Sequence, residues 1–427
     1  MARRRPPARP DESLTAPIPA RPALPRIEPI VRVRVLTSRD AATPMRIGTE
    51  ARWIEMRRLG EGDAADTGAV TPTVVVLRSP VQIRMTARGW SVLDANRFRP
   101  SVAALETLEF SSIGKPIGAA ITIQDQPYPG FARLVARSDA APGAYDVINH
   151  VSMEHYLPGV LAKELYAHWH LQTHAAQAIA ARSFACSELT YFADRRHFDV
   201  TNTALSQAYI GLNSHPRAVD AVDMTRGVVL AYDGYLVPGY YSSCCGGTAA
   251  VARDAIGEHP YNDVPPLRGR DGADVCTEAP LYSWSIQRSR RDLARRVAAY
   301  GKARNIKTLA RCRTVEAIEV AEINPHGRPR RYAVTTNRNK SVELDAEDLR
   351  RAIDCNDGPM PAPEQPLWSA HLAASFSRRS VRFDGRGHGH GVGLCQYGTE
   401  TLAQRGETCS AILRWYYPDV EITSAYG

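Results

Sequence analysis

Glu164 is the residue whose type and setting best suit acid–base chemistry. It stands in YLPGVLAKELYAHWHLQTHAAQAIAARSFA, residues 156–185, which reads as a short helical turn carrying the acid, a bend, and a long alanine-rich helix. A carboxyl group held there can give a proton to a leaving oxygen and take one back. By itself Glu164 reads first as an ordinary surface acid, with His168 four positions on as a helix-face partner. A second candidate is GRGHGHGVGLCQYG, where His388 and His390 alternate with glycines. Such a stretch makes a poor helix and a poor packed strand, which favours a backbone shaped around a ligand. An HxH pair can also chelate a metal, but no third ligand stands at a diagnostic spacing, so the imidazoles read as hydrogen-bonding groups. The third is Ser242, Ser243, Cys244 and Cys245 beside Gly246 and Gly247. It has no GxSxG elbow, so it reads as a loop lining a site or as the anchor of a Cys245–Cys276 disulfide.

These groups need elements to hold them. Leu171, Ala175, Ala178, Ala181 and Ala185 recur at helical spacing and form a stripe of small side chains on which neighbours can pack closely. Ser152 is a plausible N-cap for the first helix, and Pro158 limits how far that helix extends toward its N-terminus. Upstream, VRVRVL alternates Val31, Val33 and Val35 against Arg32 and Arg34, an edge-type strand. Strand-like runs follow at 51–56, 73–77, 81–85 and 119–123, and residues 128–157 read as a hairpin that delivers the chain to the helix. Val228 to Tyr232, the Asp233-Gly234 turn and Tyr235 to Tyr241 form a second hairpin. Beyond it, 292–300, 346–353 and 409–415 read as helices, with strands at 315–323 and 332–336, and the last block begins with 375–383.

The resulting fold class is α+β. A Pro/Arg-rich disordered leader (1–29) precedes a β-rich N-terminal part (30–150), then a catalytic core with the alanine-rich helix and a mixed sheet (151–284). An inserted α/β module (285–365) closes with a Pro-rich linker before the C-terminal part of the core (366–427). The net charge is +8, but only five lysines (115, 163, 302, 307 and 340) contribute to it, and the arginines are scattered. Dispersed arginine argues against a nucleic-acid stripe. No apolar run is long enough for a transmembrane helix, and the basic N-terminus lacks the apolar core of a signal peptide. Eight cysteines, none in a CxxC pair, permit disulfides and argue against a zinc ribbon.

Three blocks, in order, resemble the stage II sporulation protein D and amidase enhancer family: VSMEHYLPGVLAKEL with LQTHAAQAIAARSFA, AVDMTRGVVLAYDGYLVPGYYSSCCGG, and GRGHGHGVGLCQYGTETLAQRGETCSAILRWYYPDVEI. The resemblance implies cleavage of peptidoglycan glycan strands by lytic transglycosylation, with Glu164 at the family's catalytic glutamate. It makes Gln177, Arg182, Ser242, Ser243, His390, Gln396 and Tyr397 candidate substrate-binding residues, Arg182 for the lactyl carboxylate of muramic acid and Tyr397 for a sugar face or hydroxyl. No cofactor is expected. Partners would be glycan strands and a cell-wall amidase, and the location extracytoplasmic. Some members carry a zinc site between the alanine-rich helix and a QxY pair. Here the matching stretch is FDVTNTALSQAY, with Thr201, Leu205 and Ser206 where ligands would stand, so no metal is expected there although Gln207 and Tyr209 remain. The rival expectation is a wall-binding protein without catalysis that enhances an N-acetylmuramoyl-L-alanine amidase.

Overall fold

A computed structural model describes residues 21–38, 43–60, 73–86, 89–100, 102, 106–113, 119–137, 143–193, 195–204, 206–272, 275–337, 339–357 and 360–427. The architecture is α+β, with several separate sheets and helices between them. The described residues divide into two compact units: those within 23–229 and 423–427 form the first, and those within 230–422 together with 21–22 form the second. The division falls at 229/230, so the β-rich part and the alanine-rich helix share a unit, whereas the sequence reading separates them at 150.

The first unit is built on a seven-stranded sheet. Strand Ile30–Ser38 lies second from its edge, between Tyr145–Ser152 (antiparallel) and the two-residue strand Val200–Thr201 (parallel). It is therefore not the edge strand that its alternation suggests; its arginines are half-buried, and Arg32 pairs with the buried Asp199. The hairpin Phe131–Ala136 with Tyr145–Ser152 forms as expected and runs directly into helix α1, Met153–Glu164. Pro158 lies inside α1, which begins five residues earlier. The peptide N–H lost at proline is tolerated because Met153, Tyr156, Leu157 and Val160 are fully buried around it. Ser152 occupies the N-cap position, but its hydroxyl turns to His155 Nδ1, and Glu28 Oε1 accepts the Glu154 N–H in its place. Residues 1–20 of the expected leader lie outside the described residues, while Glu28 and Pro29 hold the start of α1.

After a bend, helix α2, Leu171–Phe192, runs through the interior with Thr173 to Ser183 continuously buried. The small residues make more than a stripe, because Ala176 and Ala180 extend the alanine surface around the helix. It packs on α1, on helix α3 (Pro216–Met224) and on strand Ile30–Ser38. Its arginine departs from expectation. Arg182 is 0% exposed; Nε and Nη2 donate to the two carboxylate oxygens of Glu154 at 2.9 and 2.7 Å, and Nη1 donates to Val228 O at 3.0 Å. Tyr426 Oη and the Gly227 N–H also donate to Glu154 Oε1. Arg182 is thus a structural cation and not the lactyl-binding group that the resemblance implies.

Strand Val228–Tyr232, which runs across the 229/230 boundary, pairs with Tyr235–Leu236 across Asp233 and Gly234, whose φ values of 53° and 76° fit the expected tight turn. The hairpin is shorter than expected. Tyr241–Ser242 leaves it to pair in parallel with Leu394–Cys395. In the second unit one core cluster includes Trp284, Leu293, Tyr300, Tyr332, Leu349 and Phe383, and strand Ser283–Ser289 pairs with Ser380–Arg386, past residue 365.

Burial raises the Glu154 carboxyl, but its bonds with Arg182, the charge of that residue and the Tyr426 hydroxyl outweigh burial and leave the pKa below the ordinary 4.5. Stability from this group is present above pH 4.5 and is lost as pH falls through the lower folded value. Glu154→Gln strands a buried cation and is expected to reduce the unfolding free energy by about 3–5 kcal/mol in urea titrations at pH 7. The double variant Glu154→Gln/Arg182→Met is expected to recover most of that loss, and equal stability of wild type and Glu154→Gln would contradict the assignment.

Candidate functional site

Glu164 is the last residue of α1 and is half-buried. Its Oε1 accepts the Ala208 N–H at 3.0 Å. The donor belongs to the QxY stretch, whose alternation explains the contact. Gln207 and Tyr209 turn inward and leave the amide between them toward the acid. Gln207 Oε1 accepts from Tyr156 Oη (3.1 Å), and its Nε2 donates to Ala181 O (3.1 Å), linking α1 to α2. Tyr209 Oη donates to Asn149 Oδ1 (3.0 Å), and its ring lies 4.8 Å from that of Tyr156. Burial raises both phenols well above their ordinary pKa, so they act as neutral donors.

Close approach is possible because residue 159 is glycine: a Cβ there would stand 2.2 Å from Gly211 O and 2.8 Å from the Tyr209 ring. Gly159, Ala208, Tyr156 and Asn149 are positioning groups that the sequence reading missed. The PG pair at 158–159 was visible as a turn-like dipeptide and carried no hint of the partner backbone.

Gln177 lies on α2 with 0% exposure, and neither atom of its amide is hydrogen-bonded among the described residues. A polar group so placed calls for a partner. At the place of the family's zinc ligands, Thr201 Oγ1 bonds Thr203 Oγ1 and Ser206 Oγ, and Leu205 lies outside the described residues.

The second unit holds Ser242, Ser243, His390, Gln396 and Tyr397. Backbone pairing joins the first two to the last three: Ser242 pairs with Cys395, Tyr397 N–H donates to Ser243 O (3.2 Å), and Cys244 and His388 exchange N–H···O bonds of 3.2 and 2.8 Å. The glycines serve this apposition. Gly387, at φ 78°, would drive a Cβ to 2.6 Å from Cys244 O, and Gly393, at φ 65°, to 2.2 Å from Tyr240 O. The close backbone approach anticipated toward a ligand is thus made between the two motifs themselves. Burial pulls the His390 imidazole down to about 4, so it is neutral at neutral pH. Its Nδ1 accepts the Val392 N–H (3.0 Å), which puts the proton on Nε2. His388 lies edge-on to Trp368, at 5.0 Å between ring centroids. Ser242 is buried with no hydrogen bond to Oγ, and Gln396 is buried at the start of helix Gln396–Gln404. Cys245 and Cys276 are thiols with sulfurs 3.6 Å apart, not the expected disulfide.

Residues 141–232, which contain α1, Glu164 and α2, match the family described as Stage II sporulation protein. This match and the relatives below support kinship with the stage II sporulation protein D and amidase enhancer family. Residues 267–393 match a family described as a domain of unknown function (DUF8618). An uncharacterized protein of Brachyspira hyodysenteriae is 28% identical over 65% of this chain and 68% of its own length. The amidase enhancer of Bacillus subtilis is 25% identical over 63% of this chain, but the match spans only 40% of that relative. The stage II sporulation protein D of Bacillus subtilis is 21% identical over 65% of this chain and 76% of its own length. No described helix is long and apolar enough to cross a membrane.

Gly159→Ala must push α1 off the 209–211 backbone. It is expected to reduce unfolding free energy by about 1–3 kcal/mol in denaturant titrations, whereas unchanged stability would show that the close approach is dispensable.

Proposed function

We propose that this protein cleaves peptidoglycan glycan strands by lytic transglycosylation, with Glu164 as general acid and then general base. The observation that carries the reading is a half-buried carboxylate at the end of α1, fixed by a backbone N–H, inside the region that matches the sporulation protein family. In the protonated form Glu164 gives its proton to the glycosidic oxygen as the bond from muramyl C1 to that oxygen breaks. The resulting carboxylate takes the proton of the muramyl C6 hydroxyl as that oxygen bonds to C1, giving a 1,6-anhydro end. One carboxyl group serves both steps, whereas glycoside hydrolysis ordinarily uses a pair. The Ala208 N–H orients the group.

Gln177, Ser242, Ser243, His390, Gln396 and Tyr397 are proposed as glycan-contacting groups. Action on glycan places the protein outside the cytoplasmic membrane. A second reading comes from the relative named amidase enhancer: the protein binds glycan and enhances a cell-wall amidase without cleaving it.

Incubation with purified glycan stripped of stem peptides, followed by mass spectrometry of strand ends, separates the two. Wild type is expected to release 1,6-anhydromuramyl ends and Glu164→Gln to lose at least about a hundredfold in rate. Equal rates in the two proteins would remove Glu164 from the mechanism. Retention of glycan without new ends would favour the enhancer reading.

A further inference from the structure

The second unit brings together cysteines from three separated stretches of the chain. Among the described residues, the sulfurs of Cys244, Cys276 and Cys395 lie within 4.8 Å of one another, and all three residues are buried. Cys276 Sγ is 3.5 Å from Cys244 Sγ and 3.6 Å from Cys245 Sγ. A disulfide bond measures about 2.05 Å, whereas sulfurs 2.3 Å from a tetrahedral zinc ion stand ~3.8 Å apart. Cys276 is almost equidistant from two neighbouring sulfurs, which suits a shared ion and not a bonded pair.

The surroundings suit thiolates. The Cys245 N–H donates to Cys395 Sγ at 3.3 Å. The N–H groups of Gly246 and Gly247, both at positive φ, face the sulfurs of Cys244, Cys245 and Cys276. Amide donors of this kind hold sulfur charge at metal sites. Beside them lies Arg328, a buried cation. Its Nη1 donates to the carbonyls of Cys245 (2.7 Å) and Thr248 (3.1 Å), its Nη2 has no hydrogen bond, and no carboxylate pairs with it among the described residues. A buried charge calls for a nearby opposite charge. A zinc ion held by four thiolates carries a net charge of about −2 and would provide one.

We propose that Cys244, Cys276 and Cys395, with Cys245 as the fourth ligand, bind one zinc ion in a closed structural site. The ion ties the serine–glycine loop to the histidine–glycine stretch and to the segment at Cys276. No CxxC spacing announces it, because the ligands converge only when the two motifs zip together. The site differs in position from the zinc site of some family members, which the 198–209 stretch would carry.

Full-length protein purified without chelator is expected to contain about one zinc per chain by elemental mass spectrometry. Its intact mass should be that of the fully reduced chain once the metal is removed. Cys276→Ser is expected to lose at least about tenfold in bound zinc, while Cys312→Ser, altered at a buried thiol elsewhere, retains it. Should Cys276→Ser fail to fold, wild type reconstituted with cobalt(II) serves instead, with thiolate charge-transfer and tetrahedral ligand-field bands expected. Protein without zinc and without those cobalt bands, an intact mass lowered by disulfide formation, or full zinc in Cys276→Ser would each overturn the proposal. These readouts are metal content, mass and absorption, so the result is independent of whether Glu164 cleaves glycan.

Discussion

The buried ion pair between Glu154 and Arg182 sets the frame of the first unit. It joins the first turn of α1 to the middle of α2, and the Tyr426 hydroxyl and Gly227 N–H bind the same carboxylate from distant parts of the chain. A buried pair of this kind adds little net stability over an apolar substitute, but a half-broken one is severely penalised. It therefore selects a single packing of α1 on α2. The far end of α1, where Glu164 stands, inherits that choice. Gly159 sets the distance to the 209–211 backbone, and the Ala208 N–H fixes the carboxylate itself. The helix is thus held at its start, middle and end, which is the rigidity that acid–base chemistry requires of a single carboxyl group.

Backbone proximity plays the corresponding part in the second unit. Ser242 to Gly247 and Gly387 to Tyr397 are joined by main-chain hydrogen bonds that side chains at Gly387 or Gly393 would block. His390 is held in one tautomer by Val392, and burial keeps it uncharged.

Much of this was legible in the residues. Alternation located the strand at 30–38, short β-like runs between turn residues located those at 73–78 and 81–86, and the Asp-Gly pair located the hairpin at 233–234, because each rests on local chemistry. The alanine spacing found α2 but not the all-round burial of its centre. The errors involve partners far apart in sequence. Glu154 looks like an ordinary acid in a helix's first turn, and only the fold brings Arg182 and Tyr426 to it. Arg182 was consequently read as a ligand-binding cation. Pro158 was given too much weight, since tertiary burial outweighs the one hydrogen bond that it removes. The cysteines carry no local pattern, and their convergence depends on the pairing of two motifs about 150 residues apart, as in the bond from Cys245 N to Cys395 Sγ.

The central claim is that one carboxyl group directs the muramyl C6 hydroxyl, and not water, to the anomeric carbon. Cleavage of denuded glycan in water enriched in oxygen-18 tests it most directly. Intramolecular closure predicts new muramyl ends in the anhydro form with no heavy oxygen. Reducing ends that carry oxygen-18 at C1 would mean that water is the nucleophile, and would contradict the account.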